Sequence, residues 1–428
     1  MLHLYNTALL PLRAVLAVWG AWCARDPNRQ REWAERRAVA VPTVRPGGVW
    51  IHGASVGEAR LVRLLAENLS ERRPRLPLCV SCVTRAGRGM LPSPPGVDAA
   101  FFVPLDFPGL PGRLLDALSP SALVLVETEI WPNLLNEASS RGVRVALVNG
   151  RLSPERMGRY SRLHGLYRPL IAGIARIGAQ SRRDAERFLE LGARPETLAI
   201  TGSMKYDLPA PIVDPPALRT RFALEAHRPV VVAGSTSAGE EPIVLEAYAS
   251  VRSRYPRLFL ILAPRHSERA SEVGREAAKR GVRLHPLSRG ENRLAGAADG
   301  LLVDTVGELP GLYPLAHGAF VGGSLVPVGG HNLIEPAAAG VPVIFGPHVH
   351  HVSEVAEALE QAGGALRVRD GNALAQAWTS LLEDHGLRER MARKAAELVS
   401  ANRGALDKSV ALVLSLLEGE LAFQVAVP

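Results

Sequence analysis

Beyond Pro46 the chain repeats one pattern: a short, mainly apolar run, then a longer stretch whose apolar positions recur at helical spacing. The runs fall at residues 49–52, 77–83, 99–103, 122–126, 143–148 and 174–179, and the pattern restarts at 229–233, 258–263, 282–285, 300–303, 318–321 and 341–345. Runs of this length without polar alternation are strands buried on both faces, and their alternation with amphipathic helices makes parallel sheets. The pattern predicts an α/β protein of two Rossmann-like, doubly wound parallel-sheet domains. Residues 207–216 are rich in proline and form the natural linker. A first domain is placed at 41–209 and a second at 210–428, behind an N-terminal segment, 1–40. Two such domains are expected to face a cleft at the carboxyl ends of their strands, where open α/β sheets bind ligands.

The N-terminal segment reads differently. Residues 2–23 are mostly apolar but carry Pro11 and Arg13, and no small-residue cleavage signal follows. The uncharged run after Arg13 is short of the roughly 20 residues that span a bilayer. An interfacial helix is expected, flanked by Arg25, Arg29, Arg31, Arg36 and Arg37 with Trp22 and Trp33, a mixture suited to an anionic membrane surface. The competing readings are a helix packed on the domain and a tilted single span.

Composition narrows the class. A hydrophobic fraction of 47% with 21% charged residues is that of a globular chain. The excess of 50 Lys+Arg over 42 Asp+Glu favours anionic partners, phosphorylated substrates among them. No nucleic-acid signature accompanies the charge. Only Lys205, Lys279, Lys394 and Lys408 are lysines, so each invites a chemical explanation. Cys79 and Cys82 lie on one predicted strand, where residues three apart face opposite ways, so neither a redox pair nor a zinc site is expected.

The chemistry collects just after the predicted strands. Residues 49–52 run into Gly53-Ala54-Ser55-Val56-Gly57-Glu58, a small-residue turn opening a helix. Glu58 there is either a general base for a hydroxyl or a first-turn carboxylate complementing the helix dipole. Residues 122–126 end in Glu127-Thr128-Glu129-Ile130-Trp131-Pro132-Asn133. With no third ligand beside them, the two carboxylates are expected to divide between an acceptor pocket and an ion pair with an arginine such as Arg151, not to hold a metal. In the second half, Gly234-Ser235-Thr236-Ser237-Ala238-Gly239-Glu240-Glu241 lacks P-loop and dinucleotide spacing. Arg265 and His266 suit a phosphoryl group. Asp304-Thr305-Val306-Gly307-Glu308-Leu309 follows the next run. In Gly329-Gly330-His331-Asn332-Leu333-Ile334-Glu335-Pro336 a helix is expected near His331, with Glu335 able to accept two hydrogen bonds from a ribose diol.

Two sheets and a nucleotide-type site without a P-loop or metal motif describe a GT-B glycosyltransferase. Ala54-Ser55-Val56-Gly57-Glu58, Glu127 through Asn133, Thr201-Gly202-Ser203-Met204-Lys205-Tyr206-Asp207, Pro264-Arg265-His266 and Gly329 through Pro336 together resemble the 3-deoxy-D-manno-octulosonic acid (Kdo) transferase family of lipopolysaccharide biosynthesis. The resemblance runs in order over nearly the whole chain. It implies an inverting, metal-independent transferase that needs no cofactor, uses CMP-Kdo, and acts on a lipid A precursor at the cytoplasmic face of the bacterial inner membrane. It implies Glu58 as base, with Glu127, Ser55, Gly57 and Arg151 on the acceptor side. Donor contacts fall to Lys205, Ser235, Thr236, Arg265, His266, Gly307, Glu308, Leu309, Gly330, His331, Asn332 and Glu335. The chain departs from the family pattern at Arg85-Ala86, Gly150, Ser203 and His351-Val352. Another GT-B enzyme using a UDP-sugar, a UDP-sugar epimerase, or a membrane-binding scaffold without turnover are the alternatives.

Overall fold

The computed structural model describes residues 1–23, 26–92, 96–209, 213–290 and 298–418, without the side chains of residues 13–15, 17–19, 21–23 and 28. Arg25 and the side chains of Arg13, Trp22 and Cys23 therefore lie outside the described residues. Two compact units are present, divided after Leu208.

The first unit contains a seven-stranded sheet in the order β3-β2-β1-β4-β5-β6-β7, all pairings parallel. Its strands are β1 (Val49–His52), β2 (Leu78–Cys82), β3 (Ala99–Phe102), β4 (Ala122–Val126), β5 (Arg144–Gly150), β6 (Arg176–Ala179) and β7 (Leu198–Ile200). One face buries Leu123, Leu125, Leu147 and Phe188; the other buries Ile51, Val124, Val148 and Leu61. Cys79 and Cys82 belong to opposite faces, and burial pushes both thiols up to about 12, so neither is a nucleophile near neutral pH.

The second unit repeats the plan in the order β10-β11-β9-β8-β12-β13-β14. Here β8 is Val230–Thr236, β9 Phe259–Pro264, β10 Leu284–Pro286, β11 Gly300–Leu302, β12 Gly318–Val321, β13 Val343–Phe345 and β14 Ala365–Arg367. Each sheet has one strand more than the apolar runs indicated, the three-residue edge strands β7 and β14.

The continuous second domain expected over 210–428 is corrected at its end. Helix Ala405–Glu418 packs on the first unit, with Val410, Leu412, Val413 and Leu416 in the core beside Ala146 and Val148. The Asp207 carboxylate holds its start, accepting from the Gly404 and Leu406 N–H groups at 2.7 Å each.

At the amino end, α1 (Leu2–Cys23) contains Pro11 and turns Tyr5 and Asn6 toward the protein. Tyr5 donates to Asp106 at 3.0 Å, and Asn6 accepts from Asn133 at 2.8 Å. Leu4, Leu10 and Leu12 are exposed instead. Among the described residues no helix is long and apolar enough to cross a membrane. Part of the expected basic face is occupied internally. In α2 (Pro27–Arg36), Arg36 is buried, bonded to Glu32 and to the Val83 carbonyl, and Arg31 pairs with Glu35.

Candidate active site

In the first sheet the winding reverses between β1 and β4, so the segments after these strands are the ones a doubly wound sheet offers to a ligand. They are the Gly53–Glu58 turn and the Glu127–Trp131 segment.

Ser55 caps helix α3 (Val56–Arg72), its Oγ accepting from the Glu58 N–H at 3.2 Å. Glu58 Oε1 accepts from the Ser55 hydroxyl at 2.9 Å and Oε2 from the Ala54 N–H at 2.6 Å, a reciprocal cap. Gly57, in the first helical turn, keeps the approach open, with only Ser55 Oγ within 4 Å of where a Cβ would stand. Glu58 is also buried. Burial raises its pKa, as do the nearby Glu127 and Glu129, against the lowering effect of the Ala54 and Ser55 donors; the outcome is about 7. One carboxylate therefore caps the helix and titrates where a general base operates.

Glu127 takes a left-handed backbone, φ +65, directly after β4. For a non-glycine residue this costs about 1–3 kcal/mol and is retained mainly where a site requires it. Its Oε1 lies 2.7 Å from Lys205 Nζ. Burial alone would push this carboxyl up; Lys205, then Arg151 and Arg156, outweigh burial and hold it below the ordinary carboxylate range. The expected Arg151 ion pair is thus corrected: the closest cation is Lys205, and Arg151 acts at longer range. Lys205 itself, expected at the donor's charge, is held by a carboxylate of the first unit. Glu129 accepts from Trp131 Nε1 at 2.9 Å, and its pKa is raised by burial.

Residues that the sequence did not single out hold this geometry. Asn149, at φ +55 beside a register shift in β5, accepts from the Met204 N–H at 2.9 Å and so fixes the turn bearing Lys205. Arg156 donates to the Thr128 carbonyl at 3.2 Å, and Thr128 donates to the Arg151 carbonyl. His52, which meets the Trp131 ring edge-on with centroids 5.2 Å apart, is buried, and burial lowers its pKa to about 4.

Replacing Lys205 by Met should leave Glu127 beside two other carboxyl groups without its nearest cation. Denaturant unfolding is expected to show a loss of about 2–3 kcal/mol, below the 3–5 of a fully buried broken pair, and the double change with Glu127→Gln should restore most of it. Additive losses in that cycle would show that the pair does not interact.

In the second sheet the reversal lies between β8 and β12. Ser235 bulges out of β8 at φ +54, and Thr236 Oγ1 donates to the buried Glu241 at 3.2 Å. Arg265 N–H donates to the Thr236 carbonyl at 2.8 Å, so Arg265 and His266 start beside the bulge. Gly322 must be glycine, since a Cβ would stand 2.6 Å from the Ser235 carbonyl oxygen. His331 Nε2 lies 3.4 Å from Ser237 Oγ. Burial first, then Arg265, His351 and His266, depress its pKa to about 4, so the ring is neutral. The helix expected near His331 begins later, at Ile334, where Asn332 Oδ1 accepts from the Ile334 N–H at 3.0 Å. Gly330 N–H donates to the Gly323 carbonyl at 2.7 Å. Gly307 at φ +94 and Glu308 precede the short helix Leu309–Leu312, and Leu309 packs at Gly234 next to Tyr313, whose hydroxyl feels Glu335. Arg265, His331 and Leu309 are thus linked to the end of β8 and the loop after it.

Glu240 was not singled out. It is fully buried and accepts from the Ser237, Gly323, Ser324 and Leu325 N–H groups at 2.6–2.8 Å. One carboxylate thus ties the β8 loop to the β12 loop.

Residues 31–208 match the family model described as 3-deoxy-D-manno-octulosonic-acid transferase. The chain is 33% identical to the 3-deoxy-D-manno-octulosonic acid transferase of Haemophilus influenzae, covering 98% of this chain and 99% of the relative. It is likewise 33% identical to the one from Bordetella pertussis, covering 95% and 97%. Among solved structures, a glycosyltransferase from Rickettsia africae superposes with a TM-score of 0.59 at 12% identity, covering 88% of this chain and 100% of the other. A UDP-GlcNAc 2-epimerase from Neisseria meningitidis gives 0.60 at 13% identity, covering 86% and 100%. At these identities the two structures speak to the fold alone, a GT-B-like pair of α/β units. With a family-model match and two relatives aligned almost end to end, this chain belongs to the 3-deoxy-D-manno-octulosonic acid transferase family of glycosyltransferases.

Proposed function

We propose that the enzyme moves Kdo from CMP-Kdo to the 6'-hydroxyl of a lipid A precursor of the lipid IVA type, with inversion. The observation that carries this reading is Glu58: a buried, capped carboxylate with a pKa of about 7 on a small-residue turn at the sheet's switch point. As the acceptor oxygen bonds to the anomeric carbon, the bond from that carbon to the CMP phosphate oxygen breaks. The hydroxyl proton passes to Glu58 and CMP leaves. A double displacement needs a second carboxylate as nucleophile, and Glu127 is engaged by Lys205. In the second unit Arg265 and His266 meet the donor's charge without a metal, and neutral His331 can donate one hydrogen bond. Ser235, Thr236, Gly307, Glu308, Leu309, Gly330, Asn332 and Glu335 line the nucleotide.

The test is incubation with CMP-Kdo and a tetraacyl lipid A precursor in EDTA, followed by mass spectrometry of the lipid. A mass gain of one or more Kdo units is expected, together with protection from proteolysis by CMP and not by UDP. Protection by UDP alone, or turnover only after magnesium is restored, would refute the donor assignment.

Action on a lipid places the enzyme peripherally on the cytoplasmic face of the inner membrane. The outward Leu4 and Leu12 of α1, 66% and 49% exposed, support this. Burying a leucine contributes about 1.5–3 kcal/mol, so Leu4→Glu with Leu12→Glu should weaken sedimentation with anionic vesicles at least about tenfold. Undiminished sedimentation would exclude α1 as the membrane contact.

A further inference from the structure

A cavity of about 760 Å³ lies in the first unit between α1, α2 and the segment leading into helix Leu110–Leu118. Trp33, Leu105, Phe107 and Leu110 form apolar walls, and Arg37 and Arg113 stand at its edge. Both arginines are exposed, and neither guanidinium has an ion pair or hydrogen bond among the described residues. This contrasts with Arg31 and Arg36 nearby, which are paired. The cavity floor is tied to the candidate site: Asp106, between Leu105 and Phe107, accepts from the Asn133 and Leu134 N–H groups that open the helix after Trp131, at 3.1 and 2.8 Å. The Tyr5 hydroxyl of α1 bonds to the same carboxylate. One acid thus joins the membrane-side helix, the cavity wall and the Glu127–Trp131 segment.

Apolar walls of this volume suit a flexible hydrocarbon, and two unpaired guanidinium groups at the edge suit a phosphate. We propose that the cavity seats an acyl chain of the phosphorylated glycolipid acceptor, with Arg37 and Arg113 meeting one of its phosphates. This rests on the lipid-acceptor reading above, and it adds a subsite that selects acylated, phosphorylated substrates.

The experiment uses the full chain and a tetraacyl lipid A precursor carrying a diazirine at an acyl terminus, with peptides mapped by mass spectrometry after illumination. Label is expected on residues 105–113 and around Trp33. Ala34→Trp, which fills the cavity from α2, should lower that label and raise the acceptor KM by roughly tenfold or more while CMP affinity stays unchanged. If that variant unfolds, Val39→Trp at the exposed edge serves in its place. Arg37→Gln with Arg113→Gln should weaken capture of the bis-phosphorylated probe and not of its dephosphorylated analogue. Label confined to other segments, or equal in wild type and the filled variant, overturns the proposal. So does displacement by dioleoylphosphatidylglycerol as effective as by unlabelled acceptor, which marks a site for bulk lipid. Cavity labelling without Kdo transfer supports the subsite and removes the lipid-acceptor function instead.

Discussion

Glu58→Gln is expected to lose nearly all Kdo transfer while binding CMP as the wild type does. The amide keeps the shape of the cap: its oxygen still accepts from the Ala54 N–H, and its NH₂ group can face the Ser55 oxygen. Only the proton acceptor disappears, and an absent base costs about a hundred- to ten-thousand-fold in rate. CMP binding is expected to survive because the residues proposed for the nucleotide belong to the second unit. In the wild type, kcat/KM should rise with pH through about 7 as Glu58 ionises, since burial and then Glu127 and Glu129 hold its proton. Near-wild-type transfer by the glutamine variant would move the base to Glu127. Lost CMP binding with an intact fold would end the division of labour between the units.

The same substitution should stabilise the protein. Glu58 has a folded pKa of about 7 against an ordinary 4.5, so its favourable contribution is complete below the unfolded value and is lost as pH rises through 7. By pH 8 the folded state carries a penalty of at most about 3 kcal/mol that glutamine does not. Unfolding midpoints of variant and wild type should nearly coincide at pH 4, draw apart between about 4.5 and 7 and stay apart above that, with the variant higher. A gap that does not change with pH would show that the carboxyl is not held protonated by its surroundings.

How far the sequence spoke depended on the range of the interaction. Strands of four or more apolar residues, the Ser55–Glu58 cap and the opposite facing of Cys79 and Cys82 are set by neighbours in sequence and were readable there. The edge strands at Leu198–Ile200 and Ala365–Arg367 were not, because their apolar stretches are cut short by Thr201 and Arg367. The return of Ala405–Glu418 to the first unit depends on Asp207, about two hundred positions upstream, a distance that no local pattern spans. Which of Glu127 and Glu129 would pair with an arginine such as Arg151 was left open, and for a related reason the Glu127 partner was not foreseen. Arg151 is nearer in sequence, but the left-handed turn at Glu127 and the Asn149 bond to Met204 bring Lys205 to it instead. Lys205, to which the scarcity of lysine drew attention, stands 2.7 Å from that carboxylate.

Glu240 should prove the most sensitive structural position of the second unit. Its two oxygens accept from four backbone N–H groups, those of Ser237, Gly323, Ser324 and Leu325, and nothing else in that interior takes their place among the described residues. Glutamine offers one acceptor oxygen where carboxylate offers two, and its NH₂ group would meet N–H donors head on. Leaving buried donors unpaired costs about 1–3 kcal/mol each, so Glu240→Gln should destabilise this unit by about 3 kcal/mol or more. The loops concerned carry Ser235 and Thr236 on one side and Gly330, His331 and Asn332 on the other, so CMP affinity should fall at least about tenfold even where the variant remains folded. Calorimetry with CMP and hydrogen exchange at the Gly323, Ser324 and Leu325 amides would read both effects. Fast exchange at those three amides is the distinguishing sign, because a general loss of stability would raise exchange throughout the unit's core strands. If the amides stay protected and CMP binds as in the wild type, Glu240 is not the tie between the β8 and β12 loops.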